Sequence, residues 1–169
     1  MSPKATTHRG YLTLALLTAI LALITDQGTK MWALHALQPG QVRPLIGNFI
    51  SLQLVFNPGA AFSFLAHSTW IFTAISIIIT IAILWYLPRV RSWLWGIVLG
   101  LILGGAVGNL IDRLIRPPAV GQGHVVDFLN WNGWFIGNIA DIWIVGGAAA
   151  IFLLTAFNIS ATEPKTKHD

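Results

Sequence analysis

The chain has 169 residues, of which 55% are hydrophobic and only 9% are charged. A soluble domain carries about 25% charged residues, so this composition excludes an ordinary soluble globule and a disordered chain. The formal net charge is +4, but the basic residues are scattered and form no stripe typical of nucleic-acid binding. The absence of cysteine excludes a disulfide framework and a thiol nucleophile. The sequence therefore predicts one membrane domain with several spans.

Four apolar stretches are candidate membrane spans. The first, Tyr11–Ile24, is shorter than the roughly 20 residues that cross a bilayer, so it must continue through Thr25-Asp26-Gln27. Its basic flank also fits a cleaved signal peptide, but Thr25-Asp26-Gln27 stands where small residues should precede the cut, and we interpret the segment as an uncleaved span. The sequence predicts an all-α membrane protein with one domain over residues 1–160 and helices over residues 11–28, 70–87, 93–112 and 137–157.

The distribution of Lys and Arg predicts the orientation of these spans. The terminal side holds Lys4, Arg9, Arg89, Arg91, Lys165 and Lys167, and the other side holds Lys30, Arg43, Arg113 and Arg116. Because basic residues favour the cytoplasm, both termini are expected there, with a polar, disordered tail over residues 161–169. Residues 36–69 and 116–134 are then outer loops.

The outer loops contain signs of a small β region. Ile50–Leu54 alternates between apolar and polar residues as a half-buried strand does, and Asn57-Pro58-Gly59 ends this strand. Ala60–Leu65 is expected to form a short amphipathic piece at the interface. The second loop contains a short apolar run, Val125-Val126. We expect an extracytoplasmic β-containing region beside the helices.

Glycine recurs at every fourth position of the third span. The residues are Gly96, Gly100, Gly104 and Gly108. Small residues at this spacing let helix backbones approach closely. Packing inside the bundle is the favoured interpretation, and dimerisation is the alternative.

Four aspartates are placed at the same predicted face of the membrane. They are Asp26, Asp112, Asp127 and Asp141. A charged side chain at the bilayer centre costs about 2.5–3.5 kcal/mol, so such acids usually have a role. Conduction would need polar groups along the whole depth, which the inner halves of the spans lack. Structural pairing and acid–base chemistry remain.

Structural pairing suits two of these aspartates. Asp26 has Lys30 one helical turn later, in the favourable acid-then-base order. Asp112 has Arg113 beside it and Asn109 one turn earlier. We interpret both aspartates as structural.

The other two aspartates, Asp127 and Asp141, lack such a partner nearby in sequence. Two unpaired carboxylates at one interface indicate a dyad that shares a proton, in which one member is the base for a water and the other is the acid. Other hydrolytic sites are not favoured, since the five histidines lack ligand spacing and Ser51 and Ser63 lack a G-x-S-x-G context.

Five short segments stand in order along the chain: Asp26-Gln27-Gly28-Thr29-Lys30, Asn57-Pro58-Gly59-Ala60-Ala61-Phe62, Gly108-Asn109-Leu110-Ile111-Asp112-Arg113, Val125-Val126-Asp127-Phe128 and Asn138-Ile139-Ala140-Asp141. Together they resemble the motifs of the lipoprotein signal peptidases of bacteria (signal peptidase II), which are four-span aspartic proteases of the cytoplasmic membrane. The chain departs from the family pattern at Gly137, where Phe is usual, and at Ile142-Trp143, where small or hydroxyl residues are common. Both departures bear on packing beside Asp141.

The resemblance implies roles for these residues. Asp127 and Asp141 would be the catalytic dyad. The residues implied to line or support the substrate site are Asn57, Asn109, Arg113, Asn138, Asp26, Asp112 and Lys30. The implied substrate is a prolipoprotein whose cysteine carries a diacylglyceryl group, cut just before that cysteine to release the signal peptide. Membrane lipid is the other implied partner, with no nucleic acid, metal or cofactor.

The rival interpretation is a non-enzymatic four-span transporter or assembly factor whose acids only pair with basic residues. Replacement of aspartate by asparagine discriminates the two, because a structural pair should lose folding yield whereas a dyad should lose turnover with the fold intact.

Overall fold

The described residues form four long helices and a four-stranded sheet. The computed structural model describes residues 3–47, 49–59 and 69–162, with side chains from residue 9 onward. The elements are α1 (Pro3–Ala36), β1 (Arg43–Ile46), β2 (Ile50–Asn57), α2 (Thr69–Tyr86), a 3-10 turn (Leu87–Arg89), α3 (Trp93–Ile115), β3 (Val125–Trp131), β4 (Phe135–Gly137) and α4 (Ile139–Ala156). All four helices are long and apolar enough to cross a membrane, which confirms the predicted fold class.

Three helices differ from their predicted bounds at the end that adjoins the sheet, and one of them, α3, continues to Ile115 instead of ending at residue 112. α1 continues to Ala36 instead of ending near residue 28, because Lys30 balances the charge of Asp26 and the polar segment stays helical. α4 begins at Ile139 instead of residue 137, because Asn138 caps the helix and Gly137 belongs to β4.

The sheet is antiparallel, in the order β1-β2-β3-β4, and joins the two connections that were predicted as outer loops. β2 extends the predicted strand to Asn57, opposite Val125, and ends there as expected. β3 is longer than the Val125-Val126 run, and six of its seven residues are buried, so it lacks the alternation that marks a half-buried strand. β1 and β4 were not predicted, and Ala60–Leu65 lies outside the described residues.

The last turn of α1 and the residue that follows it support the sheet. Ala33 and Leu37 pack with Leu54 of β2 and with Val126 and Phe128 of β3 in one buried apolar cluster. Full burial of a valine, leucine or phenylalanine side chain stabilises the fold by about 1.5–3 kcal/mol. The extension of α1 beyond its predicted end therefore fixes the position of β3.

The glycine stripe of α3 packs inside the chain. A Cβ atom on Gly96 would lie 3.3 Å from the carbonyl oxygen of Tyr11, and one on Gly100 would lie 2.5 Å from that of Ala15. A Cβ atom on Gly104 would lie 2.6 Å from Cβ of Ala22. The interpretation as bundle packing is confirmed, since the stripe brings α3 against the backbone of α1.

The start of the C-terminal tail is fixed to the turn between α2 and α3. Arg91 N donates to the carbonyl oxygen of Ala161 at 2.7 Å, and Trp95 Nε1 donates to that of Ile159 at 2.8 Å. Ala161 is buried. The prediction of a disordered tail is therefore wrong for Ala161, and residues 163–169 lie outside the described part.

We expect Gly104→Val to destabilise the protein, because its side chain would force α1 and α3 apart. Overpacking of this kind costs about 1–3 kcal/mol. The measurement is the melting temperature in detergent. Gly146→Val is the matched control, since no atom lies within 4 Å of a Cβ atom there. Equal melting temperatures for the two variants would contradict the close packing of α3 on α1.

Candidate active site

A buried lysine on α1 is the centre of the polar cluster between the helices. The Lys30 ammonium group is fully buried and bonds to three oxygens: Asp26 Oδ2 at 2.8 Å, Asp112 Oδ2 at 2.9 Å and Asn109 Oδ1 at 2.9 Å. Its three N–H donors are therefore all used. The predicted pairing of Asp26 with Lys30 is confirmed.

The two aspartates that bind the lysine also bind the elements around it. Asp26 Oδ1 accepts a hydrogen bond of 3.0 Å from the backbone N–H of Ala140, in the first turn of α4. Asp112 Oδ2 accepts one of 3.2 Å from the backbone N–H of Val126, in β3. Since the aspartates belong to α1 and α3, one charged cluster joins three helices to the sheet.

The partner of Asp112 differs from the prediction. Asp112 bonds to Lys30 and, at 2.7 Å, to Nε of Arg116, whereas no salt bridge to Arg113 occurs within the described residues. Consecutive helix residues point in different directions, but a residue four positions on shares the face. The guanidinium carbon of Arg113 lies 5.4 Å from the centre of the Phe72 ring, and its Nη1 is buried without a hydrogen-bond partner among the described residues.

Asp141 lies in the first turn of α4, where two asparagines hold it. The backbone N–H of Asn138 donates to Asp141 Oδ2 at 3.0 Å, and Asn138 Oδ1 accepts from the backbone N–H of Asp141 at 3.1 Å, so the pair forms a capping box. Asn109 Nδ2 donates to Asp141 Oδ1 at 3.1 Å. Because a lysine can only donate, its bond to Asn109 Oδ1 fixes which end of that amide faces Asp141.

Asp127 lies in the middle of β3, opposite Val55, and is 1% exposed. Asn57 Nδ2 donates to its Oδ2 at 2.7 Å, and Asn138 Nδ2 donates to its Oδ1 at 2.6 Å. The backbone N–H of Gly59 donates to Asn57 Oδ1 at 2.7 Å, which fixes the orientation of that amide. The side chain of Asn138 thus bonds to Asp127, while its backbone N–H bonds to the carboxylate of Asp141.

Burial is the main influence on the acidity of Asp127. It raises the pKa of Asp127 to about 7, and the negative charge of Asp141 acts in the same direction. The hydrogen bonds from Asn57 and Asn138 and the charge of Lys30 act against this rise but do not cancel it. Asp127 can therefore hold a proton near neutral pH, as an acid catalyst requires.

Charge balance agrees with a dyad that carries one proton. The cations of the cluster are Lys30, Arg113 and Arg116, and the anions apart from the dyad are Asp26 and Asp112. One further negative charge makes the cluster neutral, and a dyad with one proton supplies it. Within the described residues, neither Asp127 nor Asp141 has a cationic side chain within 4 Å. The hydrogen bonds to these two carboxyl groups come from neutral amide donors.

Two cavities reach the two acids from different sides. A cavity of about 340 Å³ adjoins Asp141 and is lined mainly by apolar side chains of α4 and β3, among them Ile142 and Trp131. A cavity of about 390 Å³ adjoins Asp127 and includes Asn57 and Pro58 in its lining. The arrangement can hold an apolar group beside one acid and water beside the other.

The structure brings the sequence-predicted residues together. Eight of the nine form one connected set of hydrogen bonds and ion pairs: Asp26, Lys30, Asn57, Asn109, Asp112, Asp127, Asn138 and Asp141. The ninth, Arg113, lies beside this set, and its Nη1 has no hydrogen-bond partner in the described part of the chain.

Two members of the cluster were missed as site residues. Arg116 follows Asp112 by four residues, so the rule that found the Asp26–Lys30 pair would also have found it. Gln27 donates to Asp26 Oδ2 at 3.1 Å and to the carbonyl oxygen of Gly108 at 3.0 Å. No spacing rule indicates this contact between helices.

We expect Lys30→Met to lower the melting temperature strongly, because it would leave Asp26 and Asp112 buried beside each other with one fewer cation. Removal of one partner from a buried ion pair costs about 3–5 kcal/mol. Arg43→Met, which removes an exposed cation from β1, is the control. If both variants melted like the unmodified protein in detergent, the buried ammonium group would not hold the helices together.

Comparison with known proteins identifies the family. Residues 18–157 match the family described as signal peptidase (SPase) II. The lipoprotein signal peptidase of Rhodococcus jostii is 42% identical over 157 residues, covering 93% of this chain and 79% of the relative, and that of Mycobacterium avium is 44% identical over 146 residues, covering 86% and 80%. A solved bacterial membrane enzyme, 29% identical, superposes with a TM-score of 0.75 over 89% of this chain and 94% of its own. The chain belongs to the signal peptidase II family of membrane peptidases.

Proposed function

We propose that the chain is an aspartic endopeptidase in which Asp127 and Asp141 form the catalytic dyad. The observation that carries this proposal is that three oriented asparagines hold two carboxyl groups around one shared residue, Asn138. Neutral donors position the acids without fixing which of them is charged. Either carboxyl group can therefore hold the shared proton and act as the acid while the other acts as the base.

The proposed reaction begins with the dyad carrying one proton. The ionised member takes a proton from a water, whose oxygen bonds to the carbonyl carbon of the scissile peptide. The protonated member gives its proton to the carbonyl oxygen, which forms a tetrahedral intermediate. When the carbon–nitrogen bond breaks, the leaving nitrogen receives a proton from the dyad and the hydroxyl oxygen returns one. The dyad ends with one proton, as it began.

The proposed substrate is a prolipoprotein whose cysteine carries a diacylglyceryl group, cut just before that cysteine. The relatives are named lipoprotein signal peptidases, which supports this choice. The lipid would keep the substrate in the bilayer, and the dyad lies where the helices meet the sheet, with an apolar cavity beside Asp141. The alternative of a transporter or assembly factor is not favoured by any of these relatives.

The proposed setting is the bacterial cytoplasmic membrane, with residues 1–160 as one four-span domain. Both termini and the tail from residue 161 would lie in the cytoplasm, and the sheet and dyad near the outer face. The sheet lies at the C-terminal ends of α1 and α3, and the terminal segment after α4 bonds to the opposite end of the bundle. The excess of basic residues on the terminal side supports this orientation.

Purified protein should cleave a diacylglyceryl-modified prolipoprotein, read as a gel shift, and should leave the unmodified precursor intact. The acyl chains bury about 0.8 kcal/mol per CH₂ in the membrane, which brings the scissile bond to the interface. Equal cleavage of the two precursors would refute the requirement for lipid.

Asp127→Asn and Asp141→Asn should each lower the cleavage rate at least about a hundredfold, the lower end of what a positioned acid or base contributes. Their melting temperatures should fall less than that of Asp112→Asn, because each change keeps the shape and removes a buried charge, and its cost is one amide N–H that faces a neighbouring donor. Asp112→Asn is the contrasting variant, since Lys30 and Arg116 would lose a partner and the melting temperature should fall. If a dyad variant retained more than a tenth of the rate, the aspartate replaced in it would not be catalytic.

The ratio kcat/KM should fall as the pH rises through about 7, the pKa of Asp127. The negative charge of Asp141 contributes to this raised pKa, so Asp141 is already ionised when Asp127 titrates. The proton that Asp127 loses near pH 7 is therefore the last proton of the dyad. Below pH 7 the dyad keeps the proton that the acid role requires, and above pH 7 it does not. The measurement is a pH–rate profile from pH 5 to 9 with stability checked at each pH. A rate that stayed constant from pH 6 to 9 would contradict a shared proton.

Single cysteines test the orientation, since the chain has none of its own. Cysteines at Gln41 and Gln122 should react with impermeant thiol reagents in intact cells, because both positions are exposed beside the sheet. A cysteine at Ser92, between α2 and α3, should react only after the cells are opened. The reverse pattern would show that the orientation is inverted.

A further inference from the structure

The two cavities that reach the acids share one lining residue among those described, Phe135 of β4. On one side of Phe135 is the apolar cavity of about 340 Å³ that contains Asp141, Ile142 and Val145 in its lining. On the other side is the more polar cavity of about 390 Å³ that contains Asp127. The side chain of Phe135, which is 45% exposed, therefore borders both the space beside one acid and the space beside the other.

Gly137 makes room for this ring. Residues 135 and 137 lie on the same face of β4, because side chains alternate along a strand. A Cβ atom on Gly137 would overlap the edge of the Phe135 ring and would lie 2.6 Å from Asp141 Oδ2. The ring and the carboxylate thus both occupy the space that a side chain at position 137 would fill. The Phe135 ring can take this position only because residue 137 has no side chain.

We propose that Phe135, seated against Gly137, is a specificity-determining residue that forms the end wall of the apolar cavity and limits the size of the hydrocarbon group held beside Asp141. This inference rests on the proposed peptidase function. The apolar cavity lies at the small end of the range for ligand pockets, about 300–1,000 Å³, so the position of one ring decides what fits.

The cavity suits an aliphatic group. Ile142, Val145 and Gly146 lie on one face of α4 and line it together with Trp131, and a Cβ atom on Gly146 would meet no atom within 4 Å. The hydrocarbon group comes from one of two parts of the substrate: an acyl chain of the diacylglyceryl group, or the side chain of the residue just before the lipidated cysteine. Both present the same chemistry to the ring.

The test is a graded series at position 135 with Ala, Leu, Phe and Trp. Each protein is assayed with two pairs of lipidated precursors, which differ either in acyl length, dioctanoyl against dipalmitoyl, or in the residue before the cysteine, alanine against leucine. For each pair we compare kcat/KM for the bulkier substrate with kcat/KM for the smaller one. In one of the two pairs this ratio should be at least about tenfold higher for Phe135→Ala than for the unmodified protein, which is the lower end of the effect of one methylene group. Phe135→Leu should lie between them, and Phe135→Trp should fall below the unmodified protein.

The pair whose ratio changes identifies the group that the cavity holds. A ratio that stays within twofold across the series for both pairs would overturn the inference, even if every rate fell. Phe152→Ala, which removes an exposed ring from the same membrane domain, should leave both ratios unchanged. A melting temperature for each variant separates lost folding from changed selection.

Failure of the proposed peptidase function and failure of the role of Phe135 give different results in these assays. If the unmodified protein cleaved none of the four precursors, the peptidase proposal itself would fail. If it cleaved them and the Asp127→Asn protein did not, while the series at position 135 showed constant ratios, only the role of Phe135 would be refuted.

Discussion

The site depends on one buried ammonium group, that of Lys30. Removing this charge and its partners from water costs several kcal/mol per ion, which is offset only when the geometry satisfies every donor. Two of the three acceptors, Asp26 and Asp112, also accept backbone N–H groups from α4 and β3. The lysine can be fully bonded only when these elements are in place. The contacts that bury Lys30 therefore also fix the positions of Asp127 in β3 and Asp141 in α4.

Neutral amides separate this charged cluster from the dyad. If Lys30 bonded directly to Asp141, the ion pair would hold that carboxyl group ionised and unable to exchange roles. Instead, Asn109 accepts from Lys30 and donates to Asp141, so the lysine fixes the geometry of the acid through an uncharged group. Asn57 is oriented in the same way by a backbone N–H and serves Asp127. The two carboxyl groups are thus held in place by uncharged donors, as the proposed exchange of a proton between them requires.

The parts of this arrangement that follow local rules could be predicted from the sequence, and those that depend on contacts between distant segments could not. Four spans follow from hydropathy, and the Asp26–Lys30 pair follows from helical spacing. β3 was underestimated because burial on both faces removes alternation. Asp112 pairs with Arg116 and not with the adjacent Arg113, because residues four apart share a helix face and consecutive residues do not. Nothing local indicates that Phe135 would occupy the space left at Gly137.

The two acids are held in unlike secondary structures, and this difference favours unlike roles. Asp141 is the third residue of α4, where the free N–H groups and the positive end of the helix dipole favour a negative charge. Asp127 lies in the middle of a buried strand, where no such dipole acts and burial raises its pKa to about 7. A pair of acids whose surroundings differ in this way divides into a base and an acid. In the proposed mechanism we therefore assign the proton at the start of the reaction to Asp127 and the activation of water to Asp141.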